Sequence, residues 1–256
     1  LRWLILTGNQ LTELPDSFDK TPRLQKLALA NNQLVSLPAS LASCEALELI
    51  RVSANQLAEF PDELCEMPSL AWCAFAGNPF CNTAMENAAQ DELLLSELEA
   101  YELKELLGQG ASGHIYLAKE LDSGTEKAVK IFKGDVTTDG FPEDEMRACI
   151  TAKNHPNLVK VEAKINAEKL GLVMELIPSH YQNLGLPPSL QSCTRDQFTE
   201  GFQLTQSKLI HLLQQATSAL NHIHKQGLIH GDFYAHNVLI DSKGHLLLGD
   251  FGAASH

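Results

Sequence analysis

Apolar and polar positions recur with one fixed spacing in the first third of the chain. Leucine recurs every 23 residues from Leu1 to Leu70, and asparagine and proline repeat at the same interval; these positions are Leu1, Leu24, Leu47 and Leu70, then Asn9, Asn32, Asn55 and Asn78, then Pro15, Pro38 and Pro61. Leucines alternate with other residues for a few positions in each unit, which predicts one short strand per unit with one apolar side. Each unit can bury its leucines only against its neighbours, so the units are predicted to stack.

The repeated pattern is Leu-x-x-Leu-x-Leu-x-x-Asn-x-Leu, and it is clearest between Leu24 and Leu34. It resembles the leucine-rich repeat, whose period is about 20–29 residues. The resemblance implies an α/β solenoid of four units over residues 1–82, with an irregular last unit. It also implies a concave sheet that binds a protein partner, with these outward positions: Trp3, Ile5, Lys26, Ala28, Leu49, Arg51, Trp72 and Ala74. The alternative interpretation is that these side chains are exposed singly and without a function.

An acidic connector follows the repeats. Residues 83–100 contain five acids and no lysine or arginine, and their leucines recur at roughly helical spacing. We therefore predict an acidic helical connector over residues 83–100. No apolar run here or elsewhere approaches the ~18 residues that a membrane-spanning helix needs. The repeats and the following part are expected on the same side of any membrane, in a cytoplasmic protein.

Charge and cysteine content narrow the possible partners. The formal net charge of −13 disfavours nucleic acid or an anionic membrane surface as the main partner. The six cysteines form no Cys-x-x-Cys pair, which favours reduced thiols in apolar surroundings. A Cys73–Cys81 disulfide is the alternative.

A glycine-rich segment lies between two predicted strands, 101–107 and 114–119. Gly108, Gly110 and Gly113 would let backbone amides approach phosphate oxygens without interference from a Cβ. A dinucleotide-binding fold needs a helix directly after such glycines. The apolar run after Gly113 instead predicts a strand, so the segment is expected to be the turn of a β-hairpin.

Three further motifs follow in order: Ala128-Val129-Lys130, then His230-Gly231-Asp232 with Asn237, then Asp250-Phe251-Gly252. Together with the glycine-rich segment they are typical of the eukaryotic-type protein kinases, and residues 101–256 resemble that family. The resemblance implies a two-lobed α+β domain that stops near its middle. A buried strand over residues 172–177 would be the hinge between the lobes, and a buried helix is predicted over residues 209–227.

The resemblance implies a role for each motif in using ATP and Mg²⁺. Lys130 would hold the α- and β-phosphates with Glu145, or else Glu143, as its carboxylate partner. Asp232 would accept or orient the substrate hydroxyl, and Asn237 and Asp250 would bind Mg²⁺. The implied nucleotide-binding set is Gly108, Gly110, Gly113, Ile115, Ala128, Lys130, Met174, Glu175, Ile177 and Leu239.

Two positions depart from the kinase pattern. Gly231 stands where an arginine usually precedes the catalytic aspartate, which argues against control by activation-loop phosphorylation. Tyr234 stands where Ser/Thr kinases usually carry a lysine.

We predict an ATP-dependent protein kinase that acts on protein substrates, with Ser/Thr favoured over Tyr by family frequency alone. The alternatives are a nucleotide-binding pseudokinase scaffold and a small-molecule phosphotransferase resembling the aminoglycoside and choline kinases. The chain begins at Leu1 within a repeat and ends four residues after Gly252, so we expect an internal fragment with little activity by itself.

Overall fold

The computed structural model describes residues 1–60, 62–81, 94–110, 112–134, 136–137, 139–166, 168–189 and 191–255. Its first part contains one short strand in each repeat. Strands β1 to β4 form a parallel sheet in chain order and comprise Trp3–Ile5, Lys26–Ala28, Leu49–Arg51 and Trp72–Ala74. Trp3 pairs with Lys26, Lys26 with Leu49, and Leu49 with Trp72, so each step of the sheet is one period of the sequence. The predicted strand in each repeat is confirmed.

The repeats are tied together by a leucine core and by asparagines. Leu27 and Ile50 lie on the inner side of their strands in one buried cluster, and 3-10 turns at Phe18–Lys20, Ala39–Ser43 and Asp62–Glu66 return the chain. The Asn55 amide nitrogen donates to the carbonyls of Leu29 at 3.0 Å and Val52 at 2.9 Å. Its oxygen accepts from the Leu34 N–H at 3.0 Å. Because each buried asparagine satisfies backbone groups of its own repeat and the preceding one, it fixes their stacking.

The first lobe of the second part is a six-stranded sheet in the order β5-β9-β10-β8-β7-β6. Its strands in chain order are β5 Leu94–Ser96, β6 Tyr101–Gln109, β7 Gly113–Glu120, β8 Glu126–Phe132, β9 Val161–Asn166 and β10 Leu170–Glu175. Helix α1 (Pro142–Ala152) connects β8 to β9. The β6–β7 hairpin is antiparallel, so the glycine-rich segment is a hairpin turn as predicted.

The predicted helix in the connector is wrong for the residues that the structure describes. Leu94–Ser96 forms a strand parallel to β9, and Leu98–Ala100 forms a 3-10 turn. Leu94 is 75% exposed, so it belongs to no buried helical stripe. The sheet edge supplies the backbone hydrogen bonds that a helix would otherwise have provided. Residues 83–93, which carry the rest of this prediction, lie outside the described residues.

The second lobe is built on helix α2 (Gln206–His224), with strands β11 Gln182–Asn183, β12 Val238–Ile240 and β13 Leu246–Leu248. The Thr205 side chain caps the start of α2 by accepting from the Lys208 N–H. A buried cluster joins α1, α2, β12 and β13, and thereby the two lobes. Within the described parts of the chain, no helix is long and apolar enough to cross a membrane. All six cysteines are free thiols, so the alternative of a Cys73–Cys81 disulfide is wrong.

Candidate active site

The three glycines of the β6–β7 turn differ in what surrounds them. A Cβ on Gly113 would lie 2.5 Å from the Ile131 carbonyl oxygen, so the close approach of β7 to β8 requires glycine there. A Cβ on Gly108 or Gly110 would meet no described atom within 4 Å. The Gly110 N–H donates to the Gly113 carbonyl at 3.0 Å and closes the turn. The open side at Gly108 and Gly110 leaves room for phosphate groups against the backbone.

Lys130 and Glu145 form a buried ion pair between β8 and α1. The Lys130 ammonium donates to Glu145 Oε1, and the two side chains are only 9% and 5% exposed. Burial alone would lower the pKa of Lys130. The charges of Glu145 and Asp250 and the hydrogen bond to Glu145 outweigh it, so the pKa is raised and the lysine stays charged. The structure therefore pairs Glu145 with Lys130, and Glu143, the alternative, is exposed.

Asp232 and Asn237 lie together after α2. The Asn237 amide nitrogen donates to Asp232 Oδ2 at 3.0 Å and to the Asp232 carbonyl at 2.9 Å. Asp232 Oδ1 is buried and has no hydrogen-bond partner among the residues that the structure describes. Burial and the nearby charges of Asp250 and Asp139 raise the pKa of Asp232 to about 6. An unpartnered carboxylate oxygen with a raised pKa can accept a proton or a hydroxyl hydrogen bond.

Asp250 and Phe251 lie on opposite sides of one turn. Asp250 is exposed and has a positive φ of 57°, which is uncommon for a residue other than glycine. Phe251 is buried in the cluster that joins α1 and α2, with its ring 5.2 Å from that of His230. His230 Nε2 donates to the Gly249 carbonyl at 3.0 Å, and burial lowers the pKa of His230 so that the ring is neutral. The buried Phe251 thus anchors the strained turn that presents Asp250.

The glycine at position 231 has a steric cause. Gly231 has a φ of 74°, and a Cβ there would lie 2.3 Å from the Ala253 carbonyl oxygen. The backbone at this point therefore excludes every side chain, including the arginine that is usual in kinases.

The oxygen atoms available near Asp232 suit Mg²⁺. Mg²⁺ binds proteins through one or two carboxylates, with water and substrate phosphates completing an octahedral shell. Asp250 offers an exposed carboxylate, and the Asn237 nitrogen is bound to Asp232, which leaves its amide oxygen as an acceptor. Among the described residues no group of three or more His, Cys, Asp or Glu side chains could enclose a metal, so these two residues would share the ion with a nucleotide.

The sheet register brings much of the predicted nucleotide-binding set together. Ile115 lies beside Lys130 across β7 and β8, and Ala128 lies beside Met174 across β8 and β10. Leu239 is in the middle of β12 in the other lobe.

The predicted hinge residues Glu175 and Ile177 lie beside Lys160 and a cavity. The Glu175 N–H donates to the Lys160 carbonyl at 3.0 Å, and Glu175 Oε1 accepts from the Lys160 N–H at 2.9 Å. Both also line a cavity of about 550 Å³ with His155, Tyr181 and others, and this cavity includes no other member of the predicted set. Glu175 and Ile177 therefore line a cavity that Lys130 does not line.

Two residues near the site belong to none of the kinase motifs. Asp139, in the loop before α1, contributes to the raised pKa of Asp232, and Arg51 of the third repeat lowers it. The Arg51 Nε atom lies 2.8 Å from Asp139 Oδ1. These residues are far from Asp232 in sequence and belong to no kinase motif, so only the fold brings them to the site.

Comparison with known proteins agrees with this geometry. The protein kinase domain family matches residues 101–256, and the leucine-rich repeat family matches residues 1–57. The chain belongs to the protein kinase family, and it carries leucine-rich repeats before the kinase domain.

Similar proteins are kinases or contain related segments. Myosin-IIIa of Mus musculus is 29% identical over 163 residues, which cover 61% of this chain and 10% of that protein. NUAK family SNF1-like kinase 1 of Mus musculus is 29% identical over 159 residues, with 60% and 22% covered. CBL-interacting serine/threonine-protein kinase 1 of Arabidopsis thaliana is 30% identical over 162 residues, with 62% and 34% covered. The matched region thus spans between a tenth and about a third of the length of these relatives.

Proposed function

We propose that the protein transfers the γ-phosphoryl group of Mg-ATP to hydroxyl groups of proteins. The observation that carries this proposal is the buried Lys130–Glu145 pair together with Asp232, Asn237 and Asp250, which come from separate elements of the two lobes. Phosphoryl transfer is catalysed largely by positioning and by stabilising charge, and these residues supply both. Lys130 would hold the α- and β-phosphates and Asp250 and Asn237 the Mg²⁺. Asp232 Oδ1 would accept the hydrogen bond of the attacking hydroxyl.

Serine and threonine are the proposed acceptors. The support is the similarity to CBL-interacting serine/threonine-protein kinase 1 and to other kinases at about 30% identity. We further propose that the repeats stack as a short solenoid and act as a protein-interaction module. The six free thiols are typical of a reducing compartment, which supports a cytoplasmic location.

The test is transfer of labelled phosphate from Mg-ATP by the full-length protein, followed by phosphoamino-acid analysis. Asp232→Asn is the inactive variant, and Asp122→Asn, in an exposed turn, is the matched control. We expect labelled phosphoserine or phosphothreonine with the wild type and the control and none with Asp232→Asn. Labelled phosphotyrosine would overturn the acceptor preference.

A nucleotide-binding scaffold without transfer is the second candidate. It is favoured by Tyr234, which occupies the usual lysine position and contacts the ring of Trp72. Binding of Mg-ATP by wild type and Asp232→Asn alike, with no label in either, would establish this candidate in place of the kinase.

A further inference from the structure

The outward side of the repeat sheet is covered over most of its width. Leu49, Trp72 and Ala74 point away from the leucine core of the repeats, yet they are 1%, 8% and 4% exposed. None belongs to the buried cluster that holds their strand neighbours Ile50 and Cys73. Ile5, the first-strand residue in register with Ala74, is 58% exposed. Burial of outward positions from the second strand onward means that another part of the chain lies on this face.

The covering part is the kinase domain. The ring of Trp72 lies 4.6 Å, centroid to centroid, from that of Tyr234, two residues after Asp232. Arg51 pairs with Asp139 at 2.8 Å. The Thr194 hydroxyl, in the segment before α2, donates to the carboxylate of Glu48 at 2.7 Å. Three contacts thus join the repeats to three separate kinase segments.

The repeats also reach the start of α1, the helix that carries Glu145. A Cβ on Gly77, in the turn after β4, would lie 2.6 Å from the ring of Phe141. On Gly140 it would lie 3.4 Å from Ala76 Cβ. The repeats therefore contact both lobes.

The contacts converge beside the atom that a protein substrate must reach. A hydroxyl has to come within hydrogen-bond distance of Asp232 for its proton to be accepted. Arg51 is near enough to affect that carboxylate, and Tyr234 is held under the Trp72 ring. No described atom lies within 4 Å of the place where a Cβ on Gly108 or Gly110 would be, so the docked repeats do not fill the space beside these two glycines.

We propose that this face of the repeats is a docking surface for the chain's own kinase domain. The docked repeats shield Asp232 from protein substrates while leaving the nucleotide side accessible. A protein that binds the same face competes with the kinase domain and uncovers Asp232. The shielding rests on the proposed kinase function, whereas the docking does not.

The test separates docking from catalysis by charge reversal in the full-length protein. Arg51→Asp places two carboxylates against each other, and Arg51→Asp with Asp139→Arg restores the pair in the opposite sense. Trp72→Ala is a second disrupting variant, and Ile5→Asp, on the exposed part of the same face, is the control. Docking is measured as deuterium uptake of the amides of residues 232–237. Shielding is measured as the rate of transfer to a degenerate peptide library containing Ser, Thr and Tyr, together with the KM for ATP.

We expect Arg51→Asp and Trp72→Ala to increase both uptake and peptide phosphorylation, the latter by roughly tenfold, with an unchanged KM for ATP. The charge-swapped double variant and Ile5→Asp are expected to behave like the wild type. Unchanged uptake in both disrupting variants would overturn the docking. Increased uptake with unchanged or reduced transfer would overturn the shielding and would make Arg51 a contributor to the site. No transfer by any variant, with increased uptake, would overturn the kinase function and the shielding that rests on it.

Discussion

The ammonium of Lys130 donates to the carboxylate of Glu145 in a position that water barely reaches. The two residues lie on different elements, β8 and α1. The ion pair therefore forms only when the helix lies in this position against the sheet. Removing one partner of a buried ion pair leaves the other charge buried and uncompensated. The resulting loss of stability is larger than the net stability that the intact pair contributes.

Replacing this lysine should harm both stability and transfer. Lys130→Met leaves Glu145 buried without its partner, so we expect the free energy of unfolding to fall by about 3 kcal/mol. Phosphate transfer should fall by at least about 100-fold, because the ligand for the nucleotide phosphates is gone. Chemical unfolding and transfer assays measure the two effects.

Lys127→Met is the matched control in the same strand. Lys127 pairs with Glu162 of β9, but this pair is partly exposed and belongs to none of the motifs. We expect a loss of about 1 kcal/mol or less and normal transfer. Equal effects of the two substitutions would contradict a special role for Lys130.

Asp232 is expected to reduce stability at neutral pH. Its pKa is raised from 3.8 to about 6, so the folded protein retains a proton that the unfolded chain releases. The free energy of unfolding therefore falls as the pH rises from about 4 to about 6, because the buried carboxyl loses its proton over this range. Asp232→Asn should raise the free energy of unfolding at pH 7 by about 1–3 kcal/mol and change it little at pH 4. Denaturant unfolding at the two pH values, with Asp122→Asn as control, measures this difference, and a loss of stability at pH 7 would be the contrary result.

Gly231 is expected to tolerate no side chain. Gly231→Ala meets the Ala253 carbonyl in addition to requiring a positive φ. Gly227 also has a positive φ, of 75°, but an added Cβ there meets no atom of the described chain within 4 Å. We expect a cost of about 1 kcal/mol for Gly227→Ala and of about 3 kcal/mol or more for Gly231→Ala. Thermal or denaturant unfolding of both variants tests this, and equal costs would show that the backbone around Ala253 can move.

The buried asparagines of the repeats are expected to matter more than the exposed one. Asn55→Ala leaves the Leu34 N–H and the Leu29 and Val52 carbonyls without that partner, which should cost about 2–4 kcal/mol. Asn9 is exposed and donates to the Leu6 carbonyl, so Asn9→Ala should cost less than about 1 kcal/mol. Unfolding of the two variants in denaturant compares them, and a similar loss from each would contradict the role of the buried side chain.

Much of the fold could be predicted from the sequence because its signals are local or periodic. The interval of 23 residues matches the register of β1 to β4, and the apolar run after Gly113 predicts the β6–β7 hairpin. The helix predicted for the connector is wrong because Leu94 and Leu98 fit a helical spacing, whereas Leu94–Ser96 pairs with the open sheet edge beside β9 and forms a strand. A sequence does not show where a sheet edge will be free.

The residues of the site also fall into those that local patterns predict and those that only the fold brings together. Lys130, Asp232, Asn237 and Asp250 belong to motifs with fixed spacing, and their positions followed from those motifs. Arg51 is expected on the outward side of the repeat sheet, but its approach to Asp139 and Asp232 could not be predicted, because it depends on how the repeats lie on the kinase domain. Gly231 departs from the kinase pattern in sequence, but the cause is its closeness to the Ala253 carbonyl, which no local pattern contains.

The graded burial across β1 to β4 has a consequence for how such a chain can evolve. Duplication of a unit before β2 would lengthen the free end of the sheet and leave Arg51 and Trp72 in place. Duplication of a unit between β3 and β4 would displace Arg51 or Trp72 from its partner by a whole strand spacing, about 4.8 Å. The number of repeats can therefore change at the β1 end of the sheet without separating Arg51 and Trp72 from their partners, whereas a change between β3 and β4 would separate them.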